Sequence, residues 1–391
     1  MTIKASATPP TINQLVERAT DMLPRVRKHA AEGDRLRHLP DATVAEFQDA
    51  GFFKVFQPSR YGGFELDYGA TQLDLCNQLG RASGSAAWVQ SVVACHAWLA
   101  GMYPQEAQDA VWAKDADTLV ASAFSRSTGR GTQAEGGLLL EGDWEFSSGV
   151  HACQWVILSA VIEPEKTPPP VLFCLVPRGD FEILETWDSS GLRSTGSHGV
   201  RVKRAFVPES RVLDTGLAEA QRAPGGAINE SYIYRLPLWT VFGFNICAPA
   251  IGIARGGLDA FVDLTRSRPG RADEPALQLR LAESAVEVDC ADSLLRADAV
   301  ELKRLVTGAA PPSPELRAKC GRDLAFAALL CARSLDRLMA AVGAHGIEAG
   351  SAIERARADA YAVINHHGLS WDGHGARYGN TILNGPVQRR A

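Results

Sequence analysis

The order of periodicities along the 391-residue chain predicts an α+β fold of three successive units: an N-terminal helical domain, a small central β-barrel or sandwich, and a C-terminal helical bundle. Three observations carry this. Apolar residues recur at helical spacing through residues 11–114, and short β-prone runs separated by turn signals fill 118–212. Helical spacing then returns and persists to about residue 374. Strands and helices are segregated, which argues against an alternating α/β sheet. The expected division is 1–117, 118–225 and 226–391, because the chain exceeds the roughly 250–300 residues at which single cores stop growing.

The first unit opens with INQLVERATDMLPRVRKHA, where Leu15, Ala19 and Met22 form one stripe. TVAEFQDAGFF is expected to start a second helix after a capping Asp41. The turn-rich FQPSRYGGFELDYGA, with Gly62 and Gly63, interrupts before a helix over about 70–79, and GSAAWVQSVVACHAWLAG resumes as a nearly all-apolar helix. In the second unit TLVASAF, LLLEGDWEF, QWVILSAVI, VLFCLVP, FEILETW and VRVKRAFVP read as strands; EGG, EPEKTPPP and SSGLRSTGSHG separate them. APGGAINE reads as a mobile connection to the final helices, which break once at TGAAPPSPE. Their all-round Ala and Leu content exceeds what a lone bundle buries, so a homo-oligomer, a homotetramer by default, is expected.

The 40 basic and 45 acidic residues leave a net charge of −5 with no like-charge run, which excludes nucleic acid and anionic membranes as obvious partners. The eight cysteines stand singly, without CxxC pairs, and read as free thiols of a cytoplasmic protein. The N-terminus lacks the apolar core of a signal peptide. The apolar stretch 239–254, broken by Asn245 and Pro249, is short of about 18 residues and reads as a buried helix, not a membrane span.

The P-loop, GxSxG, HExxH and strand-linked GxGxxG signatures are absent, so no Rossmann cofactor domain is expected. Adjacent His366 and His367 diverge by about 100° on a helix and do not suggest a metal site. DWEFSSGVHACQW, residues 143–155, alternates like a strand, placing Trp144, Phe146 and Ser148 on one face: an aromatic ring beside a hydroxyl. That face suits either a half-buried sheet surface or the wall of a site for a flat, polar-edged ligand. His96, on its apolar helix, reads equally as a satisfied core histidine or as a proton acceptor.

AGFFKVFQPSRYGG (50–63), EGGLLLEGDWEFSSG (135–149), GLRSTGSHGVRVKRAFVPESRV (191–212), APAIGIARGGLDAF (248–261) and AVGAHGIEAGSAIERARADAYAVINHH (341–367) together resemble the acyl-CoA dehydrogenase superfamily over nearly the whole chain. That resemblance implies an acyl-CoA dehydrogenase-like fold. Where the dehydrogenases carry their catalytic carboxylate, however, an ungapped reading places Phe242 and His367. The chain is more similar to the two-component flavin-dependent monooxygenases, such as 4-hydroxyphenylacetate and secosteroid-phenol hydroxylases. These take reduced FMN or FAD from a separate NAD(P)H-dependent flavin reductase, form a C4a-hydroperoxide with molecular oxygen, and hydroxylate an aromatic or heteroaromatic molecule.

By this resemblance Ser148 would hydrogen-bond the flavin near N5 and protect the oxygenated intermediate, with Trp144 and Trp155 excluding water and Ser147 and His151 structural. His366, in preference to His367, would donate to the distal peroxide oxygen, and His96 would accept a phenol or indole proton. Trp88, Ser122, Ser125 and Ser197 would line the flavin, and Arg266 and Arg268 would meet a neighbouring subunit's flavin pyrophosphate. Trp88, Trp98, Phe124 and Trp239 are expected to wall an apolar substrate pocket. An acyl-CoA dehydrogenase, an N- or S-oxygenating relative with the same flavin site, and a non-catalytic flavin binder remain alternatives.

Overall fold

A computed structural model describes residues 8–124, 129–162, 171–348 and 350–385. The proposed turn segment EPEKTPPP and Ser125 lie outside these. Five helices come first: α1 (Ile12–Leu36), α2 (Asp41–Asp49), α3 (Tyr68–Leu79), α4 (Gly84–Ala100) and α5 (Gln105–Trp112). Thr11 starts α1 with a reciprocal capping box, its hydroxyl accepting the Gln14 N–H while the Gln14 side chain accepts the Thr11 N–H. The expected stripe of Leu15, Ala19 and Met22 is buried. Asp41 is not the cap of α2 but its first residue; Pro40 occupies the cap and makes no side-chain bond. Every residue of α4 is buried, in keeping with its nearly all-apolar sequence, and α4 packs against the helix Gly243–Arg266, the strand Val120–Ala123 and the Arg193–Thr195 turn.

Among the described residues eight strands follow: β1 (Val120–Ala123), β2 (Arg130–Ala134), β3 (Gly137–Ser147), β4 (Trp155–Val161), β5 (Val171–Pro177), β6 (Glu182–Leu184), β7 (His198–Pro208) and β8 (Val212–Asp214). They join in one mixed sheet of order β6-β7-β3-β2-β4-β5-β8, with β1 beside β4 in parallel. The sheet curls so that β1 lies near β3 and β5 near β7. Strand β2, RGTQA, was not anticipated: it is polar and largely exposed, and pairing with β3 rather than burial makes it a strand.

The remaining helices are α6 (Thr215–Glu219), α7 (Gly225–Ile228), α8 (Leu238–Val241), α9 (Gly243–Arg266), α10 (Pro275–Thr307), α11 (Pro314–Val342), α12 (Ala352–Ile364) and α13 (Trp371–Asn384). Two sequence expectations change here. APGGAINE is tied down, the Gly225 N–H donating to the Met102 carbonyl and the Asn229 side chain to the Gly101 carbonyl. The apolar stretch also continues into a Leu238–Arg266 segment long and apolar enough to cross a membrane by composition, although most of its apolar window is buried in the protein.

Helices α3 and α9 cross at two glycines. A Cβ on Gly252 would lie 2.0 Å from the Cys76 carbonyl oxygen and 3.0 Å from Gly80 Cα. Backbone cannot move aside as a side-chain tip does, so Gly252→Ala must force the two helices apart. The expected cost is about 1–3 kcal/mol or more in denaturant unfolding. An unchanged unfolding midpoint would show that the crossing is looser than these distances.

Candidate active site

Helix α4 is the spine of the site. Trp88 and His96, eight residues apart, lie about 12 Å from one another along its axis. At the first position the Trp88 indole N–H donates to Ser148 Oγ at 3.0 Å, and the Trp88 ring lies 5.7 Å from the His366 ring. Ser148 immediately follows β3, past a register shift between Trp144 and Ser147, where Phe146 adopts φ 67°. This irregularity breaks the alternation expected of DWEFSSG. Trp144 is turned wholly into the core, its N–H bonded to the Ser159 carbonyl, while Phe146 is 62% exposed. Trp155 is also buried, under the Arg211 guanidinium at 5.0 Å. Both tryptophans, expected to exclude water from the flavin ring, are thus buried side chains of the sheet, and it is Trp88 that contacts Ser148.

His366 follows α12. Its Nδ1 accepts the Gly368 N–H at 3.0 Å, and burial, followed by repulsion from His367, holds its pKa down to about 4. The ring is therefore neutral at physiological pH with its proton on Nε2, and this N–H has no hydrogen-bond partner among the described residues. His367 is exposed.

At the second position His96 is fully enclosed. Nδ1 lies 3.0 Å from the Val120 carbonyl, which can only accept, so Nδ1 carries the proton. Nε2 must then accept the Ser122 hydroxyl, 2.7 Å away on β1. Burial lowers the His96 pKa to about 4, the Val120 bond only partly opposing it. Ser122, expected to line the flavin, is thus engaged by His96, and it keeps an oxygen lone pair for an incoming O–H or N–H. Nearby on the chain, Phe124 stacks on Phe173 at 4.3 Å and meets Phe242 edge-on, and Trp239 contacts both Phe173 and Phe242. Trp98 is not part of this wall: it is wholly buried against Tyr68, with its N–H on the Ile233 carbonyl.

Ser197 bonds Ser148 at 2.7 Å and Thr195 at 2.7 Å and is itself buried, so it supports Ser148 and does not face a ligand directly. Arg266 is exposed at the end of α9, without an ion-pair or hydrogen-bond partner among the described residues. Arg268 donates to the Val342 carbonyl. Thr195 was not singled out for the site by sequence. The two-residue spacing of hydroxyls in GLRSTGS was the available signal for Thr195.

His151, Glu185 and His198 present ligand atoms within 4.8 Å of one another, with His38 stacked on His151. The set does not fit a metal ion. His198 Nδ1 accepts the Trp187 N–H at 3.1 Å, so its Nε2, 3.2 Å from Glu185, carries the proton and has no lone pair to offer.

Against known proteins, residues 10–115 and 244–371 match the models for the acyl-CoA dehydrogenase N-terminal and C-terminal domains. The chain is 33% identical to the flavin-dependent monooxygenase oxygenase subunit HsaA of Rhodococcus jostii, over 90% of this chain and 93% of that one. It is 30% identical to the FADH(2)-dependent resorcinol hydroxylase oxygenase component of a Rhizobium species, over 95% and 94%. The crystal structure of 3-HSA hydroxylase from Rhodococcus sp. RHA1 superposes with a TM-score of 0.92 at 30% identity, covering 96% of this chain and 98% of that one.

Proposed function

The chain belongs to the flavin-dependent monooxygenase branch of the acyl-CoA dehydrogenase superfamily, and from that membership we propose that it is the oxygenase component of a two-component aromatic hydroxylase. It acts on a small phenol- or indole-like ring, with reduced FMN or FAD delivered by a separate NAD(P)H-dependent flavin reductase. The observation that carries this is the pair of differently poised groups along α4: a neutral donor and a hydroxyl acceptor at His366 and Ser148, and a proton-accepting Ser122–His96 pair about 12 Å away.

The residues at the first position fit a reduced flavin. Ser148 retains a lone pair, the Trp88 ring stands against both Ser148 and His366, and the His366 Nε2–H has no partner among the described residues. Reduced flavin, when bound, supplies the electrons that activate molecular oxygen. The protein's own tasks are to accept the N5–H at Ser148, to donate from His366 Nε2 toward developing negative charge, and to draw the substrate proton through Ser122 to His96 Nε2. Phe242 sits in an aromatic cluster where a dehydrogenase would carry a base, which favours oxygenation over acyl-CoA oxidation.

The same proposal includes the division at 117/118 and 225/226, a cytoplasmic location and a homotetramer. Seven of the eight free cysteines are buried as thiols, in keeping with a reducing compartment. Exposed Leu279, Val286 and Val300 on α10 and Ile382 and Leu383 on α13 are apolar surface that subunits would cover, and the unpaired Arg266 is available to a neighbour's flavin phosphates.

Anaerobic titration with reduced FMN and FAD, followed by oxygen and a panel of phenols and indoles, tests the function. Reduced flavin should bind and a hydroxylated product should form. With NADH and flavin alone no turnover is expected until a flavin reductase is added. His366→Ala should cut product per oxygen consumed by about 10²-fold, while reduced-flavin affinity changes little. Equal product yield in that variant would remove His366 from the chemistry.

A further inference from the structure

Four side chains beneath the candidate flavin edge form one hydrogen-bonded row whose direction is set at both ends. The Trp88 indole N–H, which can only donate, meets Ser148 Oγ at 3.0 Å. Ser148 and Ser197 lie 2.7 Å apart, as do Ser197 and Thr195. The Thr195 hydroxyl reaches the Leu192 carbonyl at 2.9 Å, and a carbonyl can only accept. Thr195 has spent its proton on Leu192, so it must accept from Ser197. Ser197 must therefore accept from Ser148. Ser148 is left with its proton pointing away, one lone pair on Trp88 and one lone pair free.

The terminal carbonyl is itself held in place. Leu192 adopts φ 52°, a left-handed conformation that a leucine keeps only under constraint. The constraint is visible: Asp359 accepts the Leu192 N–H at 2.6 Å, and the Trp187 indole N–H donates to the Leu192 carbonyl at 3.1 Å. Thr195, Ser197 and Leu192 are all buried, so water does not compete for these bonds.

We infer that Thr195 and Ser197 are positioning residues that make Ser148 an obligate acceptor, and so make the protein select reduced over oxidised flavin. This rests on the flavin reading above. N5 of a reduced flavin bears a hydrogen and donates; N5 of an oxidised flavin has only a lone pair and needs a donor. Ser148 satisfies the first and opposes the second, because turning its proton toward the flavin would break the row. An oxygenase that receives reduced flavin from another protein and releases it oxidised needs this asymmetry, and the row supplies it without any change of shape.

The test is the ratio of dissociation constants for oxidised and reduced FMN, measured by anaerobic fluorescence titration on the full-length protein. The wild type should favour reduced flavin. Thr195→Val, which keeps the shape and removes the hydroxyl, lets Ser197 turn round and frees the Ser148 proton; the ratio should fall by about 2- to 10-fold, the worth of one hydrogen bond. Ser197→Ala should do the same by another route, and Thr195→Ser should restore the ratio. A purely structural role would weaken both redox states together. An unchanged ratio in Thr195→Val and Ser197→Ala, with both folded by circular dichroism, overturns the inference. A wild type that binds neither redox state overturns the functional reading itself, which is a different result from equal ratios.

Discussion

Ser122→Ala is expected to lower hydroxylation of a phenolic substrate by about 10²- to 10⁴-fold, the range for losing a general acid–base group. In the proposed function the hydroxyl is the last link between substrate and His96, whose Nδ1 proton is fixed on the Val120 carbonyl and whose Nε2 accepts from Ser122. A phenol arriving at Ser122 donates to its free lone pair, Ser122 passes its own proton to Nε2, and the ring gains the electron density that attack by an electrophilic oxygen requires. His96 has a pKa near 4 in the buried site and so stands unprotonated above about pH 5. In the wild type this step should consequently vary little between pH 5 and 8. In His96→Asn the proton must leave without the imidazole, and the residual rate should climb as pH approaches the phenol's own pKa of about 10. Steady-state product formation against pH, at saturating reduced flavin, measures this. A loss of rate with no change in the shape of the profile would assign His96 to packing alone.

The second large effect is on stability. Asp359 is buried, accepts the Leu192 N–H, and has its pKa raised from 3.8 to about 7, chiefly by burial, with the Leu192 bond lowering it and Asp34 raising it. For an acid the sign follows from which state binds the proton. Below pH 3.8 both folded and unfolded chains are protonated and no cost arises. Between about 4 and 7 the unfolded chain releases its proton while the folded chain retains it, so stability falls as pH rises. Above pH 7 the full difference applies, on the order of 4 kcal/mol. Asp359→Asn keeps an oxygen for the Leu192 N–H and removes the titration. Denaturant unfolding of wild type and variant at pH 4 and pH 8 should show the variant gaining up to that amount on the wild type at the higher pH. Parallel pH curves would mean that Asp359 ionises in the folded protein as readily as in the unfolded one. Because Asp359 also clamps the end of the hydroxyl row, the wild type's preference for reduced flavin should be read at a pH where this carboxyl has one charge state.

The segregation of helices and strands, the buried α4 and the free thiols were legible because they depend on patterns that local chemistry sets: apolar spacing, capping residues and single cysteines. The residues proposed for the site also came from the sequence. His366, His96 and Ser148 stand in local patterns that resemble a flavin-dependent family, and a pattern carries identity without needing coordinates. Their partners were a different matter. The Ser148–Ser197–Thr195 row joins β3 to a loop nearly fifty residues on, and the His96–Ser122 pair joins α4 to the first strand of the sheet. Which hydroxyl faces which nitrogen depends on those long-range packings, and strand alternation misled where a bulge reversed it at Phe146. Proton direction was further still from the sequence. It is decided by groups that can only donate or only accept, here the Trp88 indole N–H and the Val120 and Leu192 carbonyls, and backbone groups of that kind are identical at every position of the chain until the fold chooses among them.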